Sequence, residues 1–146
     1  MADPRKAFTN RIGTNPEKAV TYQVDGVDIV YEAGAVNGSS KAGLAVMLSG
    51  DGVVRLTADA SPVLGKLIHV EPDGYCAVLV EGVVTLPGGT AAVLTVGTKI
   101  VGALSGTARG YIRSQAAITL AEVAVANHRI ENATPATAVQ VLLGAG

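Results

Sequence analysis

The chain has no tryptophan, and aromatic residues make up only 3% of its 146 positions. Proteins that bind single-stranded nucleic acid in a β-barrel use aromatic side chains as stacking platforms beside a basic groove. The formal net charge of this chain is −1, so it also lacks the basic excess. No apolar stretch reaches the ~18–20 residues of a membrane-spanning helix. We therefore predict neither a nucleic-acid partner nor a membrane partner.

Cysteine and histidine are also scarce. The chain has one cysteine, Cys76, and two histidines, His69 and His128. A single cysteine excludes an internal disulfide and a cysteine-based zinc cluster, and its apolar neighbours predict a buried thiol. Both histidines fall on predicted strands without a second histidine or an acidic residue at ligand spacing, which favours a surface or interface position. No HExxH, GxSxG or phosphate-loop motif occurs. The sequence thus predicts no catalytic residue, no metal site, no cofactor and no enzymatic activity.

The residues that are abundant favour β-structure. Hydrophobic residues make up 49% of the chain, mainly valine, alanine and leucine, and 18 glycines divide them into short runs. Short valine-rich runs between turn residues are typical of strands rather than long helices. The length suits one domain with one core. We predict an all-β fold, a small β-barrel over residues 19–146.

Local patterns predict most of the strands. Residues 20–24 and 27–31 alternate around Asp25-Gly26, which predicts a hairpin with a two-residue turn. A second hairpin is predicted from residues 44–48 and 53–57 around Gly50-Asp51-Gly52. Further strands are predicted at 63–70, 75–80, 83–86, 93–96 and 99–104, with a turn at 71–74 and a closing hairpin at 129–131 and 137–143.

Residues 114–127 allow two interpretations. Their alanine-rich first half is compatible with a short helix, whereas Val123 and Val125 restart an alternating pattern. We favour a loop followed by a strand.

Residues 1–18 form a leader of different composition. It contains turn-forming residues and no apolar period, so it cannot offset its own ordering entropy, and we expect an extended arm. Its charge is basic, with Arg5, Lys6, Arg11 and Lys18 against Asp3 and Glu17. Its large hydrophobic side chains are Phe8 and Ile12. It lacks the apolar segment of a signal peptide, which predicts synthesis in a cytoplasm.

An ordered series of segments follows in the body. It consists of residues 43–48 (GLAVML), 51–57 (DGVVRLT), 58–65 (ADASPVLG), 66–70 (KLIHV), 72–74 (PDG), 77–80 (AVLV) and 81–87 (EGVVTLP). This progression resembles the small β-barrel decoration, or cement, proteins of tailed-bacteriophage capsids.

The resemblance implies a β-barrel or β-tulip-like body that forms homotrimers on the capsid exterior. Such a protein binds the major capsid protein and stabilises contacts between capsomers in the virion, with no catalytic residue. Decoration proteins often reach a neighbour with an N-terminal segment. From their chemistry alone we predict Arg5, Phe8, Arg11 and Ile12 as capsid contacts.

A second function stays open at the sequence level. A phage tail, fibre or surface β module would bind a glycan or host receptor through exposed aromatic side chains. The candidates for that role are Tyr22, Tyr31, Tyr75 and Tyr111.

Overall fold

Pairing between strands that are distant in sequence organises the chain. The computed structural model describes residues 17–115 and 120–144. The strands are β1 (Lys18–Val24), β2 (Ala45–Gly50), β3 (Val53–Leu56), β4 (Gly65–Val70), β5 (Tyr75–Leu86), β6 (Ile100–Ser105), β7 (Ala108–Ser114), β8 (Arg129–Asn132) and β9 (Val139–Leu143). One short helix, α1 (Leu120–Val125), and a 3-10 turn at Val36–Gly38 complete the regular structure of the described residues.

Five of the strands close into a barrel. They follow the order β1-β3-β2-β4-β5, and β1 then pairs with β5 to complete the circle. Six residue pairs join β1 to β5 in antiparallel register, whereas only two join β1 to β3 in parallel register. The prediction of a small all-β barrel is confirmed.

Alternating side chains of the barrel strands fill its interior. The buried members of this first core are Ile29, Val46, Val54, Leu56, Leu67, Val70, Cys76 and Val78. The predicted burial of Cys76 is confirmed, and burial raises the pKa of its thiol to about 11.

The long strand β5 links the barrel to a second core. The β1–β5 register skips Val80, since Lys18 pairs with Glu81 and Ala19 with Leu79. Gly82 follows with φ +116°. An extra residue of this kind changes which face the later side chains occupy. Val84 and Leu86 therefore face a core outside the barrel, together with residues of β6, β7, β8 and β9.

Three locally predicted hairpins have different outcomes. The β2–β3 pair is antiparallel as expected, and so is the closing pair β8–β9. The prediction of a hairpin around Asp25-Gly26 is wrong, because residues 27–31 form no strand. The Asp25 carboxylate accepts backbone N–H bonds from the residues after it, so the chain turns into a loop and β1 pairs with β5 instead.

Other predicted elements also differ. Residues 75–80 and 83–86 belong to one continuous strand, bent at Gly82. Residues 93–96 form no strand but lie in a loop, where the N–H of Ser114 donates to the carbonyl oxygen of Val93. The strand predicted near Val123 and Val125 is wrong, because Leu120–Val125 is helical. There the helix directs the Glu122 carboxylate to Arg113, at 2.6 Å from Nη1.

Candidate interaction surface

The loop of residues 25–43, between β1 and β2, carries the two most exposed large hydrophobic side chains among the described residues. Val27 is 83% exposed and Val36 is 82% exposed, with Val30 and Tyr31 each about two-fifths exposed. We call this segment the valine loop. Its exposed apolar side chains face solvent, although the alternating pattern of residues 27–31 predicted a strand with one buried face.

Side-chain caps hold the first part of the valine loop. The Asp25 carboxylate accepts hydrogen bonds from the N–H groups of Val27, Asp28 and Ile29 at 3.2, 3.1 and 3.0 Å. Aspartate commonly stabilises turns in this way. The Ile29 side chain is completely buried in the first core. Its burial fixes the loop to the barrel from inside.

Two arginines fix the same part of the loop from outside. Arg55 Nε on β3 donates to Asp28 Oδ2 at 3.2 Å, and Arg109 Nη1 on β7 donates to the same oxygen at 3.1 Å. Asp28 thus joins the loop to the barrel and to the β6–β7 hairpin. The sequence gives no signal for these partners of Asp28, which lie 27 and 81 positions away.

The second part of the valine loop is held by Glu32. Its carboxylate accepts hydrogen bonds from the N–H of Ser40 and from Ser39 Oγ, and these bonds lower the pKa of Glu32. Gly38 has φ +78°, and a Cβ there would lie 1.9 Å from the Val70 carbonyl oxygen. The loop therefore packs against the barrel so closely that only glycine fits.

A second group of exposed valines lies later in the chain, in the loop between β5 and β6. Val93 and Val96, in the 87–99 loop, are 62% and 60% exposed. This loop is also fixed, since Ser114 Oγ accepts a 2.9 Å bond from the N–H of Thr95 and contacts Thr98 Oγ1 at 2.7 Å. Together the two loops give the described surface two ordered apolar projections.

Groups suited to catalysis or metal binding are dispersed. Among the described residues, no cluster of three or more His, Cys, Asp or Glu side chains could hold a metal ion. His69 Nε2 lies 3.1 Å from Glu71, an acidic neighbour that sequence reasoning did not recognise, and both side chains are substantially exposed. His128 departs from its predicted surface position on a strand, because it lies just before β8 and is only 7% exposed.

The tyrosines considered for receptor binding are divided among separate elements. Tyr31 and Tyr75 are exposed, whereas Tyr22 and Tyr111 are half-buried. Tyr22 packs against the first core, and Tyr111 lines a groove with Arg109 and Val27. This arrangement brings no specific support to the tail-fibre interpretation.

The predicted capsid contacts Arg5, Phe8, Arg11 and Ile12 lie outside the described residues. Over the part of the chain that the structure describes, no helix is long and apolar enough to cross a membrane. No protein-family model matches the chain, and no curated protein or solved structure matches it significantly.

Proposed function

We propose that this protein is a structural decoration protein that binds the outside of a phage head as a homotrimer and stabilises contacts between capsomers. The observation that carries the proposal is the valine loop, an ordered segment that presents apolar side chains to solvent. The resemblance to decoration proteins, which covers about residues 40–105 and the closing hairpin, indicates the major capsid protein as the partner.

The shape of the valine loop favours a macromolecular partner. Small molecules bind in concave pockets that enclose most of their surface. Val27 and Val36 instead project outward, as side chains do that insert into a partner's surface. Apolar contacts at the centre of an interface supply much of its binding energy.

The order of the loop favours tight binding. Asp25, Asp28 and Glu32 fix it through seven hydrogen bonds to neighbouring groups, two of them from arginines on other strands. A surface that is ordered before binding loses less conformational entropy in the complex. A decoration protein makes the same contact many times on one shell, so the smaller loss of conformational entropy applies to every copy.

A cyclic trimer requires two different surfaces on each copy, in addition to the surface that binds the shell. The projection formed by Val93 and Val96 is distinct from the valine loop, and we assign it to contacts between copies. Light scattering on the purified protein is expected to give three times the chain mass. A monomeric mass in solution and on the shell would remove the trimer from the proposal.

The attachment surface is tested by co-sedimentation with expanded, empty heads of the phage that encodes the chain. The wild type should bind saturably, and the double variant Val27→Asp/Val36→Asp should bind at least about tenfold more weakly, because tenfold corresponds to losing about 1.4 kcal/mol of apolar contact. Val83→Asp, at another exposed valine, is the matched control and should bind as the wild type does. Equal binding of the double variant and the control would contradict the assignment of the valine loop.

A further inference from the structure

The valine loop contains the only Asn-Gly pair of the sequence, Asn37-Gly38. An asparagine side chain reacts most readily with the backbone when glycine follows it, because glycine has no side chain to obstruct the approach. Asn37 is exposed to solvent, and it lies between the exposed Val36 and the buried Gly38. The loop therefore carries a pair of residues that is chemically suited to deamidation.

The reaction needs only the chain itself and water. The backbone nitrogen of Gly38 attacks the side-chain carbon Cγ of Asn37, and the Cγ–Nδ2 bond breaks. The proton of the attacking nitrogen passes through solvent to Nδ2, which leaves as ammonia. Water then opens the resulting succinimide ring at either of its two carbonyl groups. One opening gives aspartate, and the other gives isoaspartate, whose backbone is longer by one methylene group.

The folded loop holds the two reacting atoms apart. Asn37 lies in the 3-10 turn with φ +57° and ψ +23°. At this ψ its Cβ atom lies nearly opposite the Gly38 nitrogen about the Cα–C bond, whereas the succinimide ring requires both atoms on the same side. A large rotation about this bond must therefore precede the attack.

Hydrogen bonds and close packing oppose that rotation. The N–H of Gly38 donates to the carbonyl oxygen of Ala35 at 3.1 Å, and the N–H of Glu32 donates to the carbonyl oxygen of Gly38 at 2.8 Å. Gly38 also lies so close to the Val70 carbonyl oxygen that a Cβ would overlap it. Rotation at Asn37 breaks both hydrogen bonds and moves Gly38 away from the barrel.

The Glu32 carboxylate anchors the residues that follow the pair. It accepts hydrogen bonds from Ser39 Oγ and from the N–H of Ser40. Ser39 Oγ in turn accepts a 3.1 Å bond from the N–H of Lys41. Because these bonds fix the chain after Gly38, that residue cannot turn by itself. The second part of the valine loop has to open before the reaction begins.

We propose that Asn37 is a deamidation site whose reaction is controlled by opening of the second part of the valine loop, and that isoaspartate then keeps this part open. A backbone that is longer at position 37 displaces Gly38, which has no room to move beside Val70. Aspartate retains the original backbone length, so the loop closes again after that product forms. The reaction is independent of the decoration function.

Peptide mapping by mass spectrometry measures the rate. The full-length protein should deamidate at Asn37 at least about tenfold more slowly than a synthetic peptide of residues 33–41 in the same mildly alkaline buffer, because opening of the loop precedes the reaction. Glu32→Ala removes the acceptor of Ser39 and Ser40 and should accelerate the reaction at least about fivefold. Glu131→Ala, on β8, is the matched control and should react as the wild type does.

Equal rates in the wild-type protein and the peptide, or in the Glu32 and Glu131 variants, would overturn the proposal. Slow exchange of the β5 amides verifies that the Glu32 variant stays folded. Ser39→Ala is a milder second variant, since it removes only one bond to Glu32 together with the bond from Lys41. It should also accelerate the reaction, and an unchanged rate would contradict control by the loop.

Hydrogen exchange at the Ser40 amide tests the effect of the product. The isoaspartyl form, isolated by chromatography and identified by peptide mapping, should exchange this amide at least about tenfold faster than the unreacted protein. Asn37→Asp carries the same added charge on a backbone of ordinary length, so it is the matched control and should keep the amide protected. Equal exchange in the isoaspartyl form and in Asn37→Asp would show that the longer backbone does not hold the loop open.

Discussion

The backbone N–H of Gly144 donates a 2.9 Å hydrogen bond to Nδ1 of His128. The other ring nitrogen, Nε2, lies 2.7 Å from the carbonyl oxygen of Val63. Since Nδ1 accepts a bond, the proton of the neutral ring is on Nε2, which donates to Val63. His128 thus joins the end of β9 to the segment before β4, and the bond from Gly144 requires the neutral ring, because a protonated Nδ1 cannot accept.

The first prediction is a loss of stability in mild acid. Burial lowers the pKa of His128 below its ordinary value of 6.5, so the unfolded chain binds a proton more readily than the folded one. The contribution of the neutral ring is complete above pH 6.5 and is lost as the pH falls from there through the lowered pKa. Each unit of lowering is worth about 1.4 kcal/mol. Urea unfolding between pH 7.5 and pH 5 should therefore show a falling free energy of unfolding.

His128→Asn separates this effect from the titration of carboxylates. Asparagine has an acceptor for Gly144 and tolerates the left-handed backbone at this position, where φ is +59°. The variant should be less sensitive to pH than the wild type over the same range. Identical pH dependence in the two proteins would show that His128 does not titrate with unfolding.

The second prediction concerns the cap of the valine loop. Asp25→Ala removes the acceptor of three N–H groups and should lower the free energy of unfolding by about 1 kcal/mol, as the loss of a helix cap does. The amides of Val27 and Asp28 should also exchange faster. Asp25→Asn retains an acceptor oxygen and should recover most of the loss; if it behaves like Asp25→Ala, charge rather than hydrogen bonding holds the loop.

The third prediction concerns the ion pairs that join the loop to the strands. Asp28→Ala leaves Arg55 and Arg109 without their shared carboxylate and should cost about 1 kcal/mol, since both arginines are partly exposed to solvent. Asp51→Ala, in the exposed β2–β3 turn, should change stability by less than about 0.5 kcal/mol. Chemical denaturation measures both, and an Asp28 variant as stable as the control would exclude a stabilising role for these pairs.

The fourth prediction tests the close packing of β4 against β5. A Cβ at Gly65 would lie 2.0 Å from the Leu79 carbonyl oxygen, and backbone atoms cannot move aside without disturbing the strand pairing. Gly65→Ala should therefore destabilise the protein by about 1–3 kcal/mol. At Gly50 the same Cβ meets nothing within 4 Å, so Gly50→Ala should remain close to the wild type in thermal unfolding. Equal melting temperatures would contradict the observed packing.

Local sequence patterns predicted the elements that local bonds determine. The β2–β3 and β8–β9 hairpins and the turn at 71–74 form where turn residues separate apolar runs. The same reasoning was wrong at Asp25-Gly26, because a side-chain cap there competes with hairpin pairing and β5, more than 50 positions away, provides a better partner for β1. The exposure of Val27 was not predicted either, since the strand pattern of residues 27–31 assigned alternate residues to a core.

The amino-acid sequence by itself determined the fold class, the buried cysteine and most of the strands. These depend on composition and on turn chemistry, which act between neighbouring residues. Only the tertiary structure decided that the barrel closes through β1 and β5 and that Asp28 meets two distant arginines. Those features depend on which strands pair across long separations in the sequence. The apolar runs of this chain resemble one another, so local sequence does not select their partners, and the packing of the complete fold does.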